Sequence, residues 1–207
     1  MISVTPPFFY RWLSPEHLVC DLPGPEKVIY LTFDDGPIPE VTPGVLSILG
    51  EYGAAATFFV VGDNVRKYPG IFEQILLSGH AAGNHTYHHL NGWITAPGAY
   101  ADDVMRCSSL VKSSLFRPPY GRITPSQFFL LRKDYRIILW SVLSCDFDRR
   151  TSPPQCLQNT LDHTHNGSIV VFHDNIKAIV NLQYALPKFL EHFSKLGYRF
   201  ARLDDPA

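Results

Sequence analysis

No apolar run in this chain of 207 residues approaches the ~20 needed to cross a bilayer, so no membrane-spanning helix is expected. The N-terminus has no Lys or Arg ahead of an apolar stretch, and Pro6, Pro7 and Arg11 interrupt it. It lacks the ordered parts of a secretory leader, and the expectation is a soluble protein kept in the cytoplasm. Charge of one sign is equally scarce. The formal net charge is −1 and no long run of either sign occurs, which removes the electrostatic footprint of a nucleic-acid or anionic-membrane binder. The four cysteines, Cys20, Cys107, Cys145 and Cys156, have neither a CxxC pair nor zinc-ribbon spacing. A chain this long needs no disulfides to build a core, so they read as buried small apolar residues or free thiols. What remains is one ordinary globular domain of 45% hydrophobic content, with its oligomeric state unspecified.

Within that domain, strand-like and helix-like patterns alternate. The first 26 residues are Pro-rich and aromatic (Pro6-Pro7-Phe8-Phe9-Tyr10-Arg11-Trp12) and read as an irregular arm packed on the domain formed by residues 27–207. Strands are expected at residues 28–33, 56–61, 80–84, 115–117, 136–140, 168–172 and 198–203. Thr42-Pro43, Thr124-Pro125 and Ser152-Pro153 each offer an N-cap followed by Pro at the first helical position. Pro69 opens a further helix, residues 99–112 form another, and one more starts near Asn181. Gly53, Gly79, Gly167 and Gly197 mark the ends of four of these helices. Seven strands joined by helical crossovers indicate an α/β parallel architecture. Ile169-Val170-Val171-Phe172 is continuously apolar, as expected of a strand covered on both faces. No hairpin signal occurs, and no glycine-rich phosphate fingerprint follows the first strand. The expectation is therefore a parallel (β/α) barrel of about seven units, short of the usual eight.

Functional groups of parallel barrels gather at the C-terminal ends of the strands. Asp34-Asp35 ends the first strand, His85 the third, Arg117 the fourth and His173 the sixth, and Asp146 follows the fifth. This shared placement predicts one site. Taken singly, each piece has a plainer reading. Asp34-Asp35-Gly36-Pro37 is also a good turn. His85 and His89 stand one helical turn apart, which aims both at one ion, but two surface imidazoles fit as well. Arg117-Pro118-Pro119-Tyr120 also suits a polyproline ligand, and His173-Asp174 a core histidine beside a capping carboxylate.

Thr32-Phe33-Asp34-Asp35-Gly36-Pro37, His85-Thr86-Tyr87-His88-His89, Arg117-Pro118-Pro119-Tyr120-Gly121 and Val171-Phe172-His173-Asp174 occur in that order. The series resembles the motifs of the polysaccharide deacetylases, carbohydrate esterase family four, over nearly the whole chain from Lys27 to Leu203. The resemblance implies a distorted barrel and a metal triad of Asp35, His85 and His89. It implies Asp34 as catalytic base, oriented by Arg117, and His173 as catalytic acid. The Tyr120 backbone N–H matches the oxyanion donor. After Trp140-Ser141-Val142 the family places an Asp and then an Asp-Trp pair. This chain instead reads Leu143-Ser144-Cys145-Asp146-Phe147, so Asp146 takes the place of the carboxylate that tunes the site histidine and Phe147 that of the apolar wall.

What the resemblance implies is removal of N-acetyl groups from N-acetylglucosamine-containing saccharides, with one divalent metal. Zinc is the first choice for such a mixed N and O ligand set, and cobalt, manganese or nickel suit it too. Tyr87, Trp93, Tyr120 and Phe147 form an expected aromatic rim for a sugar ring. The alternatives are the same metal site acting on O-acetyl esters or cyclic amides, and a non-catalytic carbohydrate binder.

Overall fold

The computed structural model describes residue 4 and residues 17–205. Most of the expected N-terminal arm, including the segment from Pro6 to Trp12, lies outside the described residues. The described chain runs β1 (Leu18–Val19), β2 (Val28–Asp34), α1 (Thr42–Glu51), β3 (Thr57–Val60), α2 (Gly62–Lys67), α3 (Pro69–Leu77) and β4 (Ala81–Asn84). It continues with α4 (Pro97–Ser108), β5 (Leu115–Phe116), α5 (Pro125–Leu131), β6 (Arg136–Ile138), β7 (Val142–Leu143), α6 (Pro153–His163), β8 (Ile169–His173), α7 (Ile179–Lys195) and β9 (Arg199–Ala201). The strands lie in the order β1-β6-β5-β4-β3-β2-β8-β7, and β9 pairs with the first half of β2. Every strand pairing is parallel. The curled sheet with helices outside is the distorted barrel that the alternating pattern predicts.

Alternation along β2 sorts the two layers. Ile29, Leu31 and Phe33 pack outward with Val45, Leu49, Leu186 and Phe189 of α1 and α7. Thr32 and Asp34, one pleat away, turn to the inner face, where Arg117 bonds both. Phe33 stacks on Phe58 of β3 at 4.9 Å and on Phe172 of β8 at 6.2 Å, which locks the three central strands together.

Four differences from the sequence reading have physical causes. β1 and β7 are two residues long and show no periodicity, yet β1 continues the sheet beyond β6 and β7 beyond β8. α2 is one polar turn and a half, with only Gly62 and Val65 buried. Thr42 is not an N-cap: α1 begins at Thr42 itself, and its hydroxyl donates to Asp174 Oδ2 (2.6 Å) while accepting from the Ile38 N–H. Thr124, by contrast, forms the expected cap, a full capping box with Gln127. Cys107, Cys145 and Cys156 are buried thiols, and Cys20 is buried too. Burial pushes the Cys145 thiol up to about 11 and the Cys107 thiol up to about 12, which keeps both protonated and inert at neutral pH.

Candidate active site

The C-terminal ends of β2, β4, β5 and β8, with the loop after β7, bring together the residues that the motifs single out. Asp35 directly follows β2 in a left-handed conformation (φ 87°), which swings its carboxylate away from that of Asp34. Its backbone is pinned by its N–H to the Phe59 carbonyl and by Asn64 Nδ2 on its own carbonyl. His85 and His89 do not lie on a helix, contrary to the spacing argument. Residues 85–89 form a bend in which Thr86 and His89 both have positive φ, and the tight bend aims the two rings at one point.

Asp103 of α4 shapes that bend. Its buried carboxylate accepts the N–H groups of Tyr87 and His88 (both 2.9 Å) and bonds His88 Nδ1 at 2.5 Å. Tyr87 is consequently buried beneath Arg106 and against Gly62, so it does not belong to the expected aromatic rim.

Asp35 Oδ1 lies 3.0 Å from His89 Nε2 and 3.6 Å from His85 Nε2. The three ligand atoms lie within 4.8 Å of one another. The opposite ring nitrogens are already engaged: His85 Nδ1 bonds the Arg117 carbonyl (2.8 Å) and His89 Nδ1 the Tyr120 hydroxyl (3.2 Å). A carbonyl only accepts, so His85 carries its proton on Nδ1. Its Nε2 faces the carboxylate, where it can donate to Asp35 when protonated or offer a lone pair to a cation held with Asp35 when not. Burial acts to raise the Asp35 pKa, but hydrogen bonding to His85 and His89 and the charge of His173 hold it well below the usual carboxylate value. Two imidazoles and one carboxylate are the donor set of a catalytic metal centre with an open position, and these residues fit it.

Asp34 faces a separate partner. Arg117, fully buried inside the barrel, donates to Asp34 Oδ1 at 2.7 Å and to Thr32 Oγ1 at 2.8 Å. It also donates to the carbonyls of Ile138 and Leu139, and its guanidinium stacks 4.1 Å above the Phe59 ring. A buried guanidinium is costly unless its donors are satisfied, and here the backbone and Asp34 satisfy it. The polyproline reading of this segment is thereby excluded, since Arg117 lies in the core.

Across the site, Asp146 accepts from His173 twice, at the ring Nδ1 and at the backbone N–H (both 2.7 Å). Burial alone would lower the His173 pKa, but Asp146, followed by Asp35 and Asp34, raises it to about 9, so the ring is protonated at neutral pH. Phe147 meets the same ring edge-on at 4.7 Å. Tyr120 is exposed, with positive φ, and its backbone N–H makes no hydrogen bond among the described residues.

Several supporting residues carry no local signal. Asn175 donates to Asp35 Oδ2 at 2.5 Å, and Asn181 holds the loop after β7 through the carbonyls of Asp146 and Thr151. Asp174 accepts from the Gly36 N–H and the Thr42 hydroxyl beneath the Asp34-Asp35 turn. Adjacency to His173 points toward Asp174 and Asn175; nothing in the sequence points toward Asp103 or Asn181.

Residues 21–134 match the family model for polysaccharide deacetylase. Over 91% of this chain and 92% of the relative, the sequence is 33% identical to a peptidoglycan-N-acetylglucosamine deacetylase of Bacillus cereus. A chitooligosaccharide deacetylase of Azorhizobium caulinodans is 36% identical over 72% of this chain and 74% of its own length. Among solved structures, the Bc1960 peptidoglycan N-acetylglucosamine deacetylase superposes with a TM-score of 0.87 at 30% identity, covering 96% of this chain and 95% of that one.

Proposed function

The chain belongs to the polysaccharide deacetylase family, carbohydrate esterase family four, and we propose that it is a metal-dependent hydrolase of N-acetylglucosamine-containing poly- or oligosaccharides. The observation that carries this reading is the convergence of Asp35, His85 and His89 on one point, flanked by a buried base–arginine pair and a protonated histidine. Asp35, His85 and His89 would hold one divalent ion, zinc first by the chemistry of the ligands, with cobalt, manganese and nickel as alternatives. Bound there, such an ion would supply Lewis acidity and lower the pKa of water at the site.

The chain's own groups do the rest. Asp34, oriented by the Arg117 hydrogen bond, takes the proton of the attacking water. The Tyr120 N–H donates to the oxygen that gains charge as the acetamide carbonyl becomes tetrahedral, a role of the kind worth ~3–4 kcal/mol. His173, kept charged by Asp146, protonates the departing amine. An amine leaves poorly without that proton, so acid and base must be distinct groups, and here they stand on the paired strands β2 and β8. The products are acetate and a free amino sugar. A purely binding relative has no need of this set, and every position of the triad, base and acid is filled.

The test is acetate release from N-acetylglucosamine oligomers by metal-stripped protein, with and without zinc. Release is expected only with metal. Asp34→Asn should bind zinc stoichiometrically while turnover falls about 10²–10⁴-fold, the usual contribution of a general base. Normal turnover by Asp34→Asn would refute the base assignment. Zinc binding without acetate release would turn the search to O-acetyl esters and cyclic amides.

A further inference from the structure

Beyond His89 the rim continues as an exposed stack of aromatic rings and one arginine. The Tyr120 ring meets His89 edge-on with centroids 4.7 Å apart, and Tyr120 is 59% exposed. Trp93, 58% exposed, stands on the loop that follows the histidine bend. The Arg122 guanidinium lies between them, 4.7 Å from the Trp93 ring and 5.8 Å from the Tyr120 ring. Among the described residues no carboxylate lies within ion-pair distance of Arg122, and its side chain makes no hydrogen bond. Arg66, Arg150, Arg199 and Arg202 pair with Asp63, Asp148, Glu26 and Asp205, whereas Arg122 sits between two exposed rings beside the site.

The stack is built in before any ligand arrives. Gly92, just ahead of Trp93, passes so close to the Arg122 backbone that a Cβ there would sit 2.3 Å from its carbonyl oxygen and 2.7 Å from Gln127 Oε1. Gln127 is fully buried, and its amide donates to the carbonyls of Gly92 (2.8 Å) and Thr95 (3.0 Å). The Asn91 side chain accepts from the Trp93 N–H. Neighbouring ring faces hold a guanidinium by cation–π attraction and stacking, because it is planar and weakly hydrated. Its edge N–H groups stay unpaired, in the fork geometry that matches a carboxylate.

We propose that Arg122, held between Trp93 and Tyr120, binds a carboxylate on the sugar adjacent to the one being deacetylated, so that acidic N-acetylated glycans are preferred over neutral ones. The proposal rests on the deacetylase reading of the neighbouring site and names its substrate class. A lactyl ether on the next ring, as in a muramic-acid unit, carries such a group. Tyr120 then joins the two functions, with its N–H facing the reacting acetamide and its ring forming one wall of the carboxylate site.

The experiment compares a muramic-acid-containing tetrasaccharide with the same glycan whose lactyl carboxyl is converted to carboxamide, measuring binding by calorimetry and acetate release in parallel. Amidation should weaken binding to the wild-type protein about tenfold, as for loss of a charge-assisted fork. Arg122→Gln should bind both glycans alike, at the level of the wild type with the amide, with an unchanged melting temperature. Indifference of the wild type to amidation would overturn the proposal without recourse to any variant. So would a variant that keeps the preference, or one that loses affinity for both glycans equally. Charge-selective binding without acetate release would keep the carboxylate site and remove the deacetylase assignment.

Discussion

Asp174 stands one residue past the catalytic-acid candidate, fully buried beneath the turn that carries Asp34 and Asp35. Burial pushes its carboxyl up to about 8, against hydrogen bonds from Thr42 and Gly36 that act the other way. A carboxyl whose pKa is higher in the fold than its unfolded value of ~3.9 binds more protons in the native state between those two values. Stability therefore falls as pH rises from about 4 to about 8, the reverse of the usual contribution of a salt-bridged aspartate. Asp174→Asn keeps an acceptor for the Gly36 N–H and removes the titration. In metal-free protein, urea unfolding at pH 5 and pH 8 should show a steeper loss for the wild type. Relative to the wild type, the variant should lose less stability between pH 5 and pH 8, by up to about 3–4 kcal/mol. Parallel pH dependence in the two proteins would show that Asp174 is not protonated in the fold. The residues proposed to do the chemistry are legible in the sequence, because each follows a strand inside a recognisable motif. Asp174, Asp103 and Asn181 are not. Their roles arise from contacts made across the fold, Asp103 with a loop some 15 residues away and Asn181 with one 30 to 35 away.

At the scale of elements, legibility followed side-chain size. The strand at Val28–Asp34 is apolar and easily read, whereas β4 (Ala81-Ala82-Gly83-Asn84) has little β propensity and was inferred from context. The structure explains why it is small. A Cβ on Gly83 would lie 2.5 Å from two atoms of the Phe59 ring, and that ring carries the Arg117 guanidinium on its face. Gly83→Ala should therefore displace Phe59 and, through it, the arginine that orients Asp34. The expected cost is about 1–3 kcal/mol, typical of overpacking a core. For a domain of this size each kcal/mol lowers the melting temperature by about 2–4 °C. Turnover should fall along with it, while zinc stoichiometry holds because Asp35, His85 and His89 do not rest on Phe59 side-chain contacts. A variant with unchanged melting temperature and turnover would mean that the ring yields without moving Arg117. The histidine bend was misread for a related reason. Spacing of i and i+4 suits a helix, but it also suits a tight bend with two positive-φ residues, and only the tertiary clamp from Asp103 decides between them.

Over the whole molecule, the strand order decides which chemistry meets. β2 lies between β3 and β8, so Asp34 and Asp35 at its end, the proposed base and metal ligand, lie beside His173 of β8, the proposed acid, in register Asp34↔His173. The two proposed histidine ligands follow the end of β4, one strand beyond β3. An ion held by Asp35, His85 and His89 would tie the ends of separate crossover units that the unfolded chain keeps 50 residues apart in sequence. Binding to the native state alone stabilises by RT ln(1 + [L]/Kd), about 2.7 kcal/mol at a hundredfold excess over Kd. Zinc should accordingly raise the melting temperature of stripped protein by about 5–11 °C at that excess, as scanning calorimetry against zinc concentration would measure. Asp35→Asn suits the control, since asparagine tolerates the left-handed backbone at this position and lacks the charge. It should remove the zinc-dependent rise, whereas His173→Gln should leave it intact. A rise that survives Asp35→Asn would place the ion elsewhere in the barrel. A rise lost in His173→Gln would make the acid of β8 part of the metal centre, and the division of labour between β2 and β8 would have to be redrawn.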